Sequence, residues 1–311
     1  MAKINLSVIL IIISAVNIFA LGGKQKSAAA EFQTSQPESQ VVAQPTRAER
    51  IVKSLVQAYP DRIEKAEFRN NDWAVLLNGK WFYFASGRLL PEDMLEKIDE
   101  YRPNQFYQYP AELPPWKELT AEEIERYKSW TANRSQNPPR RSSFFLDELW
   151  QAPNRAETEK KLVRITFLGK STRVHQSIQK KLAEIESIIL ELGKIDTQVQ
   201  TWINGIGSME GYGWRNIAET QSRSYHSYGL AVDLLPRNMG NKQTYWLWTS
   251  QYRDDWYNVS YNERYHPPDS VIKIFEARGF VWGGKWPMFD TMHFEYRPEV
   301  ILLNGLILVT N

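Results

Sequence analysis

The chain has 311 residues and a hydrophobic content of 42%, which is ample for the packed core of one large or two smaller domains. Its formal net charge is only +2, with 38 basic residues against 36 acidic ones, so charge gives no case for a nucleic-acid partner. Cysteine is absent, which excludes disulfides, thiolate metal ligands and a cysteine nucleophile. Any metal must therefore be held by imidazole and carboxylate groups.

Residues 1–22 have the composition of a secretory signal peptide. Lys3 precedes a largely apolar run, and small residues near Gly22 suit a cleavage site. The segment predicts an exported protein, in the periplasm or elsewhere in the cell envelope. An uncleaved run of this length would also serve as a membrane tether. Residues 23–45 are rich in Ala, Ser, Gln and Pro, which predicts a disordered linker.

Residues 46–160 are predicted to form a smaller, loop-rich α+β region. A helical pattern begins near Thr46 and ends at Pro60. Strand-like runs on either side of Asn78 and Gly79 predict a β-hairpin, because both central positions of a two-residue turn need positive φ. The pattern indicates no role for this region.

Two further helices are predicted within that region. One begins at Pro91, and the other follows a capping box formed by Thr120 and Glu123. Prolines are frequent between and after them, which favours loops.

Residues 161–311 are predicted to form a second α+β domain, with a small antiparallel sheet flanked by helices. Residues 163–167 alternate like a strand, and an apolar stripe over residues 174–192 predicts a helix that faces the core. His175 lies beside that stripe with no second ligand at a suitable spacing, which favours a helix-surface or capping histidine.

One carboxylate interrupts an apolar strand over residues 230–235. Burying ionised Asp233 without compensation would be unfavourable, and a divalent cation shared with His226 would compensate it. The alternative is an ion pair with an arginine such as Arg223 or Arg237. The pair alone does not decide between these interpretations.

A second polar segment follows a predicted helix that has Asp269 as its N-cap. In an unbroken strand over residues 288–296, alternation places Asp290 and His293 on opposite faces. A bend or a strand end between them is needed if both are to face one cavity.

Together the two segments supply His226, Asp233 and His293. A catalytic zinc usually takes three such protein ligands and keeps its fourth position for water, whose pKa it lowers. His266 would fill that fourth position, and the prolines after it favour an ordinary loop residue. The sequence therefore predicts a three-ligand zinc site.

The two segments have the patterns Ser224-x-His226-x-x-Gly229-x-Ala231-x-Asp233 and Asp290-x-x-His293. They resemble the motifs of the M15 zinc peptidases, which include D-alanyl-D-alanine carboxypeptidases and dipeptidases and L-alanyl-D-glutamate endopeptidases acting on peptidoglycan stem peptides. Aspartate three residues before the last histidine resembles the carboxypeptidase-type and endolysin-type subgroup. The resemblance covers roughly residues 162–303.

The resemblance implies that His226, Asp233 and His293 bind zinc and that Asp290 is the general base. Glu295 is an alternative base, although the family places that residue before the last ligand histidine.

The family also has an arginine upstream of the first histidine that stabilises negative charge on the tetrahedral intermediate. Arg215 is the candidate here, and Arg223 is the second choice. Ser224 is expected to support the metal site or the substrate, and Arg223 and Trp286 are further candidates for substrate contact.

These inferences predict a monomeric, zinc-dependent metallopeptidase that hydrolyses peptidoglycan stem peptides, as a D-alanyl-D-alanine carboxypeptidase. The alternatives are an L-alanyl-D-glutamate endopeptidase with the same site and a non-catalytic zinc module that binds the cell wall. A binding module has no physical need for a general base such as Asp290, which favours an enzyme.

Overall fold

The computed structural model describes residues 44–136 and 138–309. The predicted signal peptide, residues 1–22, lies outside this part of the chain, as does nearly all of the predicted linker, residues 23–45. Within the described part, no helix is both long and apolar enough to cross a membrane.

The protein is an α+β fold with small antiparallel sheets flanked by helices, as the sequence predicts. Its α-helices are α1 (Arg47–Ala58), α2 (Ala121–Ser135), α3 (Phe144–Trp150), α4 (Arg155–Glu159), α5 (Gln176–Gly193), α6 (Thr197–Gly205), α7 (Trp246–Thr249), α8 (Asp269–Glu276) and α9 (Pro298–Leu303). Its strands are β1 (Ile63–Arg69), β2 (Asp72–Leu77), β3 (Lys80–Tyr83), β4 (Leu90–Pro91), β5 (Leu162–Phe167), β6 (Lys170–His175), β7 (Ile206–Glu210), β8 (Ala231–Pro236), β9 (Phe280–Trp282) and β10 (His293–Tyr296). Short 3₁₀ helices cover Ala85–Gly87, Glu92–Glu100, Tyr225–Tyr228, Trp256–Asn258, Tyr261–Glu263 and Gly283–Lys285.

The first sheet has the order β1-β2-β3-β4 and confirms the predicted hairpin. Asn78 and Gly79 connect β2 to β3 with φ of 50° and 73°, the positive values that the turn requires. Thr46 caps α1, and the capping box of Thr120 and Glu123 begins α2, also as predicted.

Three predicted helix starts differ from the structure. Pro91 precedes a 3₁₀ helix rather than an α-helix, and Pro268 holds the N-cap position that the sequence gave to Asp269. Val174 belongs to β6 rather than to α5, because β6 forms a hairpin with β5 before the helix begins. His175 caps α5 by accepting a hydrogen bond from Ser177 N at 3.3 Å, so its predicted capping role is confirmed.

The second large sheet has the order β7-β8-β10-β9 and carries the functional site. Helix α5 buries Ile178, Leu182, Ile185 and Ile189 in the main core. Phe294 of β10 stacks on Phe275 of α8 with ring centroids 4.1 Å apart. These helices therefore cover one face of the sheet.

Side chains from both sides of residue 160 share the main hydrophobic core, and the described residues from Pro45 onward form one compact unit. Helix α1 packs on α9, and Tyr59 donates a hydrogen bond to Glu299 at 2.7 Å. Whether residues 46–160 can fold alone is a separate property, so the predicted domain boundary near residue 160 stays a prediction.

Replacing Ile185 with Ala should lower the free energy of unfolding by about 2–5 kcal/mol, because Ile185 is fully buried and its truncation leaves a cavity. The matched control is Ile188→Ala on the same helix, where the side chain is 37% exposed. Chemical denaturation of both variants measures the difference. Equal stability of the two variants would contradict the described packing of α5.

Candidate metal centre

Strand pairing brings two polar side chains together on the second sheet. His293 of β10 lies directly opposite Asp233 of β8 in the antiparallel register. Opposed residues on one face have Cβ atoms about 5 Å apart, so their side chains can reach a common ion. The neighbouring residues Val232 and Phe294 point to the other face and pack in the core. The register therefore fixes both groups.

A 3₁₀ turn over Tyr225–Tyr228 supplies His226. The Ser224 hydroxyl accepts a hydrogen bond from His226 N at 3.3 Å and caps the turn. Gly229 ends it with a φ of 71°, and a Cβ at this position would lie 2.7 Å from the backbone nitrogen of His175. Glycine is required here by both the backbone angle and the close approach.

Three ligand atoms converge at the end of this arrangement. The Nε2 atom of His226 lies 3.2 Å from Oδ1 of Asp233 and 3.2 Å from Nδ1 of His293. The same nitrogen of His293 lies 2.8 Å from Oδ1 of Asp233. All three side chains are buried, and they form the one group in the described residues whose geometry suits a metal ion.

The outer nitrogens of both imidazoles are already paired. Nδ1 of His226 donates to the carbonyl of Gly211 at 2.6 Å, and Nε2 of His293 donates to Glu295 at 3.2 Å. A neutral imidazole has one N–H group, so these bonds leave both inner nitrogens with a lone pair. Three lone pairs that face one another repel unless a cation or protons lie among them. The donor set and its outer hydrogen bonds therefore fit a divalent cation.

The charges of the site support the same conclusion. Burial favours neutral Asp233, but the two histidines bonded to it hold its pKa well below the usual range. Burial opposes the charge of His293, whereas hydrogen bonds from its ring to Asp233 and Glu295 raise its pKa well above the usual value. Protons and a metal ion therefore compete for the same atoms, so metal affinity must fall as the pH falls.

Asp290 lies at the bend that the sequence analysis required. A turn at Thr291 and Met292 separates it from β10, and His293 N donates to its carbonyl at 3.3 Å. Its side chain is half-buried, and Oδ1 is shielded from solvent with no hydrogen-bond partner among the described residues. Burial, together with the charge of Asp233, raises the pKa of Asp290 to about 7.

Arg215 lies at the rim of the site. Its side chain is 54% exposed, and Nη2 is 3.7 Å from Oδ2 of Asp233. Within the described part of the chain, no side-chain hydrogen bond uses the donors of Arg215, so they can bind another group.

Arg223 has a different environment from the one the sequence analysis expected. Nε and Nη2 bond to Ser227, Nη1 bonds to Asp147 at 2.7 Å and to the Ala152 carbonyl at 2.6 Å, and Nη2 also donates to Thr158 at 3.0 Å. Each of its nitrogens is already used within the protein. These contacts hold the turn that carries His226 against residues 147–158, and the predicted contact of Arg223 with substrate stays a prediction.

Trp286 lies beside the metal centre. Its ring centroid is 5.3 Å from that of His293, and its Nε1 donates to the Tyr107 hydroxyl at 2.8 Å. The hydroxyl of Ser224 supports the turn that carries His226, as described above. Contact of Ser224 or Trp286 with substrate stays a prediction.

His266 lies apart from the ligand group. Its ring packs on Trp282 with centroids 4.9 Å apart, and its Nε2 is 3.7 Å from Asp269. Glu295 orients His293 through the hydrogen bond given above rather than facing the inner ligand atoms.

Sequence reasoning missed two parts of the site. The sequence cannot indicate that the Gly211 carbonyl accepts a hydrogen bond from His226, since every residue has a carbonyl group. The sequence does contain a signal for the orienting role of Glu295, because residues two apart on a strand, such as His293 and Glu295, share a face. Arg297 holds Glu295 in turn, with Nη1 at 3.4 Å from its carboxylate.

Comparison with known families agrees with this geometry. A family model of the M15 peptidases, described as D-alanyl-D-alanine carboxypeptidase, matches residues 218–296, which contain His226, Asp233, Asp290 and His293. A second model, described as a domain of unknown function (DUF8518), matches residues 51–106. No curated protein and no solved structure is significantly similar to the chain.

Replacing Glu295 with Gln should weaken metal binding about tenfold to a hundredfold, because the neutral amide orients and polarises His293 less strongly. Glu191→Gln, on the exposed surface of α5, is the control. Competition with a chromophoric chelator measures both affinities. Unchanged affinity in the Glu295 variant would refute its role in holding the ligand.

Proposed function

We propose that the protein is a zinc-dependent peptidase of the M15 family that hydrolyses peptidoglycan stem peptides as a D-alanyl-D-alanine carboxypeptidase. The match of residues 218–296 to an M15 family model supports this proposal. One observation carries the proposal: three inward-facing ligand atoms lie beside Asp290, whose Oδ1 has no hydrogen-bond partner among the described residues. The description of the matching family model supports the choice of reaction.

His226, Asp233 and His293 would hold the ion. Zn²⁺ at this position would supply Lewis-acid polarisation of the scissile carbonyl and acidify the attacking water. The hydrogen bonds to Gly211 and Glu295 keep both imidazoles in the tautomer that ligation needs.

Asp290 is suited to move the proton. As a carboxylate it accepts a proton from the attacking water, and as the acid it returns that proton to the leaving amine. A general base works best when its pKa is close to the working pH, and burial has moved that of Asp290 toward neutrality. Its shielded Oδ1 has no competing partner within the described residues.

Arg215 is suited to stabilise negative charge. Peptide hydrolysis develops this charge on the carbonyl oxygen, and a cation already in position lowers the barrier. The exposed guanidinium lies next to Asp233 and keeps free donors for this purpose.

Two alternatives share the same metal site. An L-alanyl-D-glutamate endopeptidase would need an open-ended cleft, whereas a carboxypeptidase must bind a terminal carboxylate. A non-catalytic module that binds the cell wall would leave Asp290 without a purpose. Since the substrate lies outside the cytoplasm, the proposal also includes export through residues 1–22, with the protein acting as a monomer in the envelope, released or tethered.

Replacing Asp290 with Asn should lower kcat at least about a hundredfold while zinc stays bound, because the amide cannot accept the proton. The control is Asp254→Asn, an exposed position. Elemental analysis measures zinc, and turnover of a stem pentapeptide measures activity. Unchanged turnover in the zinc-loaded Asp290 variant would exclude the general-base assignment.

Mass spectrometry of digested muropeptides should detect free D-alanine as the product of the zinc-loaded protein. Cleavage between L-alanine and D-glutamate would instead favour the endopeptidase, and intact substrate would favour the binding module. Protein stripped of zinc is the control, and cleavage by that sample would contradict the metal dependence.

A further inference from the structure

A cavity of about 420 Å³ opens beside the metal centre. One wall contains Arg140 and Arg141, from the region that precedes the peptidase segment. The other wall contains Trp214 and Arg215, and Arg215 also faces the ligand Asp233. The cavity therefore connects the region before residue 160 to the edge of the metal site.

The cavity has an excess of positive charge. Its one carboxylate among the described lining residues, Asp147, already pairs with Arg223 at 2.7 Å. Neither Arg140 nor Arg141 has an ion pair or a side-chain hydrogen bond within the described residues. Among the described residues, the one ion pair of Arg215 is its 3.7 Å contact with Asp233. Arg140 lies over the ring of Tyr101 at 5.8 Å, a contact that uses none of its N–H groups. The hydrogen-bond donors of these three guanidinium groups can therefore bind an anion.

The backbone of Arg141 is held in place. Its backbone nitrogen donates to the buried hydroxyl of Ser222 at 3.0 Å, and Arg102 donates to the same hydroxyl at 3.1 Å. A parallel bridge also joins Arg102 to Arg141. The position of Arg141 is thus set by the peptidase segment, which contains Ser222, rather than by a free loop.

The side chain of Arg141 is charged and has no hydrogen-bonded counterion among the described residues. The nearby carboxylate of Glu295 attracts it but is already bonded to His293 and Arg297. Burial, together with the charge of Arg102, lowers its pKa to about 10, so it is still protonated at neutral pH. A largely buried cation without a hydrogen-bonded partner is unfavourable, and a carboxylate from a ligand would compensate it with two parallel hydrogen bonds.

We propose that Arg141, assisted by Arg140, forms a carboxylate subsite through which residues 46–160 help to select the substrate. The proposal rests on the proposed peptidase function. Both arginines lie outside the segments that the two family models match, so neither match accounts for them. The carboxylate is either the C-terminus of the stem peptide or the free carboxylate of its D-glutamate.

The test measures binding and cleavage of three stem pentapeptides by zinc-loaded protein. One peptide is unmodified, one has an amidated C-terminus, and one has an amidated D-glutamate carboxylate. Arg141→Gln should weaken binding of the unmodified peptide at least about tenfold, since an ionic hydrogen bond is lost. The affinity of Arg141→Lys for the unmodified peptide should lie between those of Arg141→Gln and the wild type, because lysine keeps the positive charge but cannot donate two parallel hydrogen bonds.

The amidated peptides identify the source of the carboxylate. Arg141→Gln should not change the affinity for the peptide whose recognised carboxylate is amidated, because the interaction with Arg141 is already absent there. Arg126→Gln is the control, at an exposed position of α2 that does not line the cavity. Binding is measured by calorimetry in an Asp290→Asn background, which prevents turnover, and thermal melting checks that each variant is folded.

The outcomes separate the two proposals. If the wild type cleaves no peptide but binding still depends on Arg141 and on one carboxylate, the peptidase proposal fails and the subsite stands. If cleavage occurs and Arg141→Gln binds all three peptides like the wild type, the subsite is refuted and the peptidase stands. If Arg141→Gln loses the same affinity for all three peptides, the subsite is also refuted, because such a loss indicates a structural role of Arg141. Failure of the wild type to bind any peptide refutes the subsite as well.

Discussion

Three acceptor atoms facing one another within about 3.2 Å are the constraint on which the rest of the structure depends. The pairing of β8 with β10 brings two of them together, and a capped turn adds the third. The lone pairs of these atoms repel one another unless protons or a cation lie among them. The surrounding groups take the outward N–H groups, so the inner atoms are suited to hold either. The sheet, the turn and the core beneath them act to hold these atoms still.

The region before residue 160 contributes to the site as well as to the core. It places Arg141 against Ser222 and opens a positively charged cavity next to Arg215. Under the proposed function, the metal and Asp290 act on the scissile bond alone, so groups farther along the substrate must contribute to its selection. An arginine from outside the peptidase segment is well placed to supply it.

Sequence reasoning found the parts of the protein that depend on local chemistry. Asn78 with Gly79 predicted a hairpin, and the spacing around His226 and His293 predicted the ligand group, because both depend on residue type at short range. Strand β6 was missed because Val174 continues the apolar stripe of the helix that follows. Arg141 could not be found, since its relation to the site arises only when distant segments pack together. The same holds for the Gly211 carbonyl, because a backbone group is present at every position and is not indicated by residue type.

The packing of the first described helix, α1, on the last, α9, affects how the chain reaches its native state. The contact between Tyr59 and Glu299 joins residues separated by almost the whole described sequence. Such long-range contacts close late, because the entropy of the intervening loop must be overcome first. Helix α1 can dock on α9 only after the chain as far as α9 has left the ribosome, so this part of the core is completed after most of the described sequence has been synthesised.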